Sequence, residues 1–223
     1  MRQVQQVSRQ SLAVILRELR AVLARGVIGD AVEFGCYAGD TSIELWKILQ
    51  EFNRLNRAAN RPRNANVKNF NAPNSAAELP PKNLWLYDSF EGLPVKTTDD
   101  LAAGGEDFTA GELKVSKADV VRKFQKLGLG IPIVKKAWFA DLTARDLPRQ
   151  ICLAFLDGDF YRSIRQSFDL VKPRLSPGST VIVDDYQNAK LPGSKKAVDE
   201  FLAQNPAVKF NVEAGLAIVK WPN

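Results

Sequence analysis

Four carboxylates dominate the chemistry open to this chain. Asp157 and Asp159 follow the apolar run Ala154-Phe155-Leu156, and Asp184 and Asp185 follow Val181-Ile182-Val183. Each run has the length and composition of a buried strand, and the stretch between them suits one crossover helix. As neighbouring parallel strands, the two runs would set all four acids at their carboxyl ends, where open α/β sheets bind ligands. Acids so close repel one another unless a hard cation lies among them, and Mg²⁺ or another divalent cation with oxygen ligands fits that role. The 223 residues include no histidine, which excludes Ser-His-Asp and Cys-His catalysis and argues against zinc. Proton transfer therefore falls to Asp, Glu, Lys, Tyr or Cys.

Two further stretches carry candidate binding residues. Val32-Glu33-Phe34-Gly35-Cys36-Tyr37-Ala38-Gly39-Asp40-Thr41-Ser42 reads as a strand, a glycine turn and a helix start, with the helix running through residue 43 to about 52. Gly35 and Gly39 allow a sharp turn close to a ligand, and Thr41 or Ser42 can cap the helix. The spacing matches neither a P-loop nor G-x-G-x-x-G. Leu84-Trp85-Leu86-Tyr87-Asp88 reads as a second strand ending in an acid, the residue type that holds ribose hydroxyls in a nucleotide-binding βαβ unit.

The elements that must position these residues follow from periodicity. Helical spacing of Val7, Leu12, Ile15, Leu16, Leu19, Val22 and Leu23 predicts an amphipathic helix over 3–25, stopped near Gly26 and able to pack on the sheet or on a second subunit. Residues 53–83 are rich in Asn, Arg and Pro without periodicity and read as a mobile insertion; residues 95–117 read as a lid above the strand ends. Helices are expected over 117–127, 163–171 and 195–203, and strands over 131–136, 151–156 and 180–184. Ser176-Pro177-Gly178 reads as a turn, and 208–212 with 216–219 as a closing antiparallel hairpin around Gly215. The expected organisation is an N-terminal helical segment over 1–29, then one α/β domain over 30–223 with a doubly wound, mostly parallel seven-stranded sheet.

Composition narrows the partners. A formal charge of +6 and a pI near 9.3 raise the question of nucleic acid. The one basic cluster (Arg54, Arg57, Arg61, Arg63, Lys68) has a single aromatic, Phe70, and reads as a solvated surface loop, so no nucleic-acid partner is expected. No apolar run is long enough to span a membrane and no signal-peptide pattern opens the chain. Cys36 and Cys152 lie in apolar strand contexts and read as reduced core residues of a cytoplasmic protein.

Taken as an ordered series, these motifs resemble the macrocin O-methyltransferase (TylF-like) family of class I S-adenosylmethionine-dependent methyltransferases. The resemblance rests on Val32-Glu33-Phe34-Gly35 with Gly39, Tyr87-Asp88-Ser89-Phe90-Glu91-Gly92-Leu93-Pro94 and Phe108-Thr109-Ala110-Gly111-Glu112-Leu113. Leu156-Asp157-Gly158-Asp159-Phe160-Tyr161-Arg162-Ser163, Leu175-Ser176-Pro177-Gly178 and Asp184-Asp185-Tyr186 complete it. The resemblance implies a Rossmann-like sheet, S-adenosyl-L-methionine as methyl donor, Mg²⁺ and a small-molecule hydroxyl acceptor of sugar or secondary-metabolite type. It also implies roles by position. Glu33, Gly35, Tyr37, Gly39, Thr41 and Ser42 would line the donor's methionine end, with Asp88, Ser89 and Asp157 also contacting the donor. Asp157, Asp184 and Asp185 would ligate the metal, and Asp159 would be the catalytic base. A homodimer or higher homo-oligomer is left open.

Each assignment has a plainer counterpart. Asp159 could cap the following helix, Asp185 could stand behind the ligands, and Trp138 and Phe139 could be core, cavity wall or adenine-facing. Other activities compete as well. The stretch from Glu33 to Thr41 also resembles the donor loop of catechol-type O-methyltransferases, which act on phenolic diols, but those enzymes place a Lys where this chain has Phe160. Asp157-Gly158-Asp159 is also the D-x-D pattern of metal-dependent glycosyltransferases, which would leave Asp184, Asp185 and the 88–94 string without a role.

Overall fold

The structure, a computed structural model, describes residues 7–59, 80–101 and 108–222. Helix α1 (Arg9–Ala24) is capped by Ser8, whose hydroxyl accepts from the Ser11 amide at 3.0 Å. Its buried stripe of Val14, Ile15, Leu19, Val22 and Leu23 follows the expected helical spacing and faces the sheet. Strand β1 (Asp30–Phe34) leads into α2 (Asp40–Ala59), and β2 (Leu84–Asp88) into a 3₁₀ turn at Thr98–Asp100 and α3 (Lys117–Lys126). Then come β3 (Ile133–Lys136), β4 (Ile151–Leu156), α4 (Tyr161–Val171), β5 (Leu175–Val183) and α5 (Pro192–Gln204). The hairpin β6 (Lys209–Glu213) and β7 (Leu216–Lys220) closes the described chain.

The seven strands form one sheet in the order β3-β2-β1-β4-β5-β7-β6, parallel through β5 and antiparallel at β7 and β6. Apolar clusters cover both faces. Ile15, Leu45, Leu49 and Phe124 bring α1, α2 and α3 onto one side, and Ile164, Phe168, Val198 and Phe201 bring α4 and α5 onto the other. Central β4 is buried at every position, as a parallel strand covered on both faces must be. Strand order reverses between β1 and β4, so the crevice for a ligand opens above their carboxyl ends.

Several boundaries differ from the sequence expectation, each for a local reason. Helix α2 continues past 52 to Ala59, so residues 53–59 are helix rather than insertion; residues 60–79 lie outside the described residues. Asn53 anchors the returning chain, its side chain donating to the Lys82 carbonyl and accepting from the Lys82 amide, both at 2.8 Å. Strand β3 starts at Ile133 because Pro132 has no amide for the ladder. Ser176-Pro177-Gly178 is not a turn before β5 but an irregularity inside it, marked by a register shift against β4 between Ile151 and Leu153. Helix α5 begins at Pro192, three residues before the expected start, since proline at the first turn loses no helical hydrogen bond.

The stretch read as a lid is tied down where it is described. Gly111 donates to the Leu93 carbonyl and Leu93 to the Glu112 carbonyl, at 2.9 and 2.8 Å. Leu93, Phe108 and Leu113 pack on Phe160 and Leu191 as a separate small cluster. Residues 102–107 of the expected lid lie outside the described residues.

Candidate active site

The parallel ladder itself delivers the acids to one edge. Beyond the paired strands it continues one step: Gly35 donates to the Tyr87 carbonyl, Asp157 to Phe34 and Asp184 to Leu156, at 2.8, 2.8 and 2.9 Å. The first residues after β1, β4 and β5 are therefore lateral neighbours. The backbones close up so far that a Cβ on Gly35 would lie 1.8 Å from the Asp157 carbonyl oxygen, and Gly35 has a φ of +88°. Only glycine fits there, which makes Gly35 a requirement of the carboxylate edge as much as of any donor.

One cavity of about 480 Å³ lies above this edge. Asp157, Asp159 and Asp185 line it together with Gly35, Tyr37, Asp88 and Ser89. One ligand oxygen from each of Asp157, Asp184 and Asp185 can be chosen so that all three lie within 4.8 Å of one another. Burial pushes the Asp157 carboxyl well above its ordinary range, and repulsion from Asp184, Asp159 and Asp185 adds to this. Burial and then Asp185 push Asp184 to about 7, against the Asp185 amide that donates to its carboxylate at 2.9 Å. Burial also raises Asp185, while Asn188 donates to its Oδ1 at 2.8 Å. Three part-buried carboxylates with raised values either hold protons or share a positive ion, and an all-oxygen set suits a hard divalent one.

Asp159 stands apart from that trio. It has a φ of 59°, no hydrogen bond to its carboxylate among the described residues, and a value raised by burial, then by Asp185, Asp184 and Asp88. It does not cap α4: the amide of Tyr161, the first helical residue, donates to Asp100 Oδ1 at 2.6 Å.

The donor-end residues divide. Gly35, Tyr37, Asp88 and Ser89 reach the cavity, whereas Glu33, Gly39, Thr41 and Ser42 do not line it. Helix α2 starts at Asp40, so Thr41 and Ser42 lie within its first turn instead of capping it. Glu33 is 1% exposed, and its Oε2 and the Ser42 Oγ are both buried without a well-formed hydrogen bond among the described residues, although Ser42 lies close enough to hold the Glu33 carboxyl down in part. Asp88 is more committed than its sequence position suggests. Its Oδ2 accepts from the Cys36 and Tyr37 amides at 3.0 and 2.9 Å, and its Oδ1 from the Phe90 amide at 2.7 Å. Of roughly four acceptor positions on a carboxylate, about one is left for a ribose hydroxyl. The Ser89 hydroxyl donates to the Gly92 carbonyl at 3.2 Å and accepts from the Glu91 amide at 3.1 Å.

The sequence reading missed several lining residues. Asp100, Arg162, Gln166 and Asn188 all reach the cavity, and only Asn188, three residues after Asp185, has a spacing that could have shown it. Trp138 and Phe139, left open in the sequence, are wall: both line the cavity, and Phe139 packs edge-on against Phe34 with ring centroids 5.2 Å apart.

Burial of Glu33 has a consequence for stability. Burial, with added repulsion from Asp88, pushes its carboxyl up to about 8 from 4.5, so between those values the folded protein holds a proton the unfolded chain has released. Stability of the cation-free protein is therefore expected to fall as pH rises from about 5 to 8, since folding takes up protons throughout that window. A tenfold change in proton affinity corresponds to about 1.4 kcal/mol, and each kcal/mol to about 2–4 °C in melting temperature at this chain length, so a fall on the order of 10 °C is expected. Thermal melts of wild type and Glu33→Gln check it; the variant should show the shallower pH dependence, and a wild-type melting temperature rising with pH would contradict the assignment.

Among the described residues no helix is long and apolar enough to cross a membrane. Comparison with known proteins places the chain. A family model described as Macrocin-O-methyltransferase (TylF) matches residues 70–214, which takes in Asp88 and the four aspartates and leaves the Glu33 turn outside. The chain is similar to the 8-demethyl-8-(2,3-dimethoxy-alpha-L-rhamnosyl)-tetracenomycin-C 4'-O-methyltransferase of Streptomyces olivaceus, 31% identical over 173 residues covering 75% of this chain and 57% of that one. It is similar also to the mycinamicin III 3''-O-methyltransferase of Micromonospora griseorubida, 28% identical over 190 residues covering 82% and 64%. The chain thus spans less than two thirds of the length of these curated relatives. In three dimensions it overlays the O-methyltransferase NovP with a TM-score of 0.70 at 25% identity, covering 95% of this chain and 79% of that one. With the family match spanning most of the sheet and the carboxylate edge, the chain belongs to the macrocin O-methyltransferase (TylF) family.

Proposed function

We propose that this protein is an S-adenosyl-L-methionine-dependent O-methyltransferase that requires Mg²⁺ or another divalent cation and acts on a hydroxyl of a sugar or other secondary-metabolite acceptor. The observation that carries the reading is that Asp157 and Asp185, whose oxygens converge with those of Asp184, line one cavity with Gly35, Asp88 and Asp159, whose carboxylate accepts no hydrogen bond among the described residues. By their names, one curated relative methylates a 4' oxygen of a rhamnosyl-tetracenomycin and the other a 3'' oxygen of mycinamicin III, which supports the acceptor class.

In this reading the cavity divides by chemistry. The backbone turn at Gly35 and Tyr37, with Glu33 buried behind it, fits the polar methionine end of the donor, and the remaining acceptor position of Asp88 fits a ribose hydroxyl. Trp138 and Phe139 offer the aromatic wall for a base. Asp157, Asp184 and Asp185 would hold the cation, with Asn188 orienting Asp185. When bound, the donor supplies an electrophilic methyl group and the cation lowers the pKa of an acceptor hydroxyl. Asp159 takes the hydroxyl proton; burial and the neighbouring acids raise its carboxyl, which makes it a stronger base than an ordinary aspartate. Leu93, Phe108 and Leu113 form apolar walls that keep water from that proton transfer. The catechol-type alternative is disfavoured because Phe160, at the position of the catechol-type Lys, is 1% exposed within the small apolar cluster.

Calorimetric titration with S-adenosylhomocysteine tests the donor half. Wild type should bind it, and Asp88→Ala should weaken binding about 10–100-fold through the lost charged hydrogen bonds and the loosened turn. Binding of a nucleoside-diphosphate sugar in place of S-adenosylhomocysteine would overturn the reading in favour of glycosyl transfer. Transfer of a labelled methyl group to glycosylated acceptors, with and without EDTA, tests the other half.

A further inference from the structure

Asp100 is the acid in the cavity wall to which the proposed reaction gives no part. It is 1% exposed, and three hydrogen bonds occupy its carboxylate. Oδ2 accepts from the Thr97 amide and hydroxyl at 2.8 and 2.7 Å, which fixes the 3₁₀ turn it ends. Oδ1 accepts from the Tyr161 amide at 2.6 Å, across 61 positions of sequence. The residue in the cap position of α4 is Phe160, which has no side-chain acceptor, so Asp100 does from a distant segment what a local Ser or Asp does at other helices. A carboxylate is well matched to the place, because the N-terminus of a helix carries partial positive charge.

That helix start is also the far side of the Asp159 turn. Asp159 stands in the left-handed region with a φ of 59°, a conformation a residue with a Cβ keeps only when its surroundings hold it. On its near side Asp157 is held by the ladder bond to Phe34; on its far side Phe160 is buried and Tyr161 is bonded to Asp100. Helix α5 closes the joint. A Cβ on Gly193 would stand 2.0 Å from Asp100 Oδ1 and 2.7 Å from the Tyr161 amide nitrogen, so a bare glycine is needed for the three segments to meet. The next residue, Ser194, donates its hydroxyl to the Asp184 carbonyl at 2.8 Å. The same helix start thus touches both the Asp159 turn and the carboxylate pair after β5.

We propose that Asp100 is a positioning residue that locks the Asp159 turn at a fixed offset from the Asp157, Asp184 and Asp185 cluster. The inference deepens the proposed function and rests on Asp159 as the base. Asp100→Ala should lower kcat about 30–100-fold while the KM for donor and acceptor and the affinity for S-adenosylhomocysteine stay near wild type, since misplacement of a reacting group costs on that order. Asp100→Asn keeps an oxygen for the Tyr161 amide and should recover most of that loss. Gly193→Ala pushes on the joint without removing the carboxylate and should lower kcat in the same way.

Hydrogen–deuterium exchange of the peptide over 157–164 reads the joint without any turnover: exchange should quicken in Asp100→Ala and stay close to wild type in Asp100→Asn. Equal kcat losses in the Asn and Ala variants would overturn the proposal, as would a change confined to the acceptor KM, or a loss in Ala matched by a fall in donor affinity and melting temperature. Should wild type neither bind S-adenosylhomocysteine nor transfer methyl groups, the methyltransferase reading fails; the exchange comparison then stands alone in deciding whether Asp100 holds the turn.

Discussion

Replacing Asp157 or Asp184 by Asn is expected to abolish cation-dependent turnover, with a loss of about 10³-fold or more, while leaving S-adenosylhomocysteine binding in place. The size follows from the several kcal/mol a bound cation supplies at a developing oxyanion, each 1.36 kcal/mol being about tenfold in rate. The choice of Asn keeps side-chain shape, so the ladder bonds from Asp157 to Phe34 and from Asp184 to Leu156, which are backbone bonds, should survive. Two carboxyls of the trio would remain, and in Asp184→Asn the Asp157 carboxyl should come down, because repulsion from Asp184 is part of what raises it. Calorimetry with Mg²⁺ and with S-adenosylhomocysteine separates the two affinities. Full wild-type activity in excess EDTA, or an Asp184→Asn enzyme that still responds to added Mg²⁺ as wild type does, would remove the metal role from these residues.

The second large effect is expected at Asp159. Asp159→Asn should lower kcat by about 10²–10⁴, the usual contribution of a positioned general base, with donor and cation affinity little changed. The two substitutions differ in kind. Asp157 and Asp184 belong to the group whose oxygens converge within 4.8 Å, and Asp159 does not, although it shares the cavity with Asp157 and Asp185. A variant at Asp159 that loses Mg²⁺ affinity along with rate would make it a fourth ligand instead of a base. Unchanged turnover would pass proton removal to solvent or to another group.

Much of the sheet was legible because it rests on local patterns. Alternating apolar runs and helical stripes, such as the stripe of α1 and the fully buried β4, are consequences of burial on one side or two. The boundaries that slipped did so where long-range partners intervene: Asn53 tying α2 to Lys82, or the register shift that makes Ser176-Pro177-Gly178 part of a strand. The convergence of Asp157, Asp184 and Asp185 was legible too, since acids placed directly after two adjacent parallel strands must lie side by side.

The chain alone therefore determined the strand succession, the acids at the strand ends and the motif series that marks the family. Tertiary structure decided where those acids lie relative to one another. It drew Asp157, Asp184 and Asp185 together and left the Asp159 carboxylate without a hydrogen bond among the described residues. It spent most of the Asp88 carboxylate on the Gly35 turn, and it sealed Glu33 beneath the cavity instead of within its wall. Spacing could not have shown Asp100 reaching the start of α4 across 61 residues, because that bond exists only once three segments converge at Gly193. Local patterns encode which face of an element is buried; which polar groups meet above the sheet is settled by packing between elements that are distant in the chain.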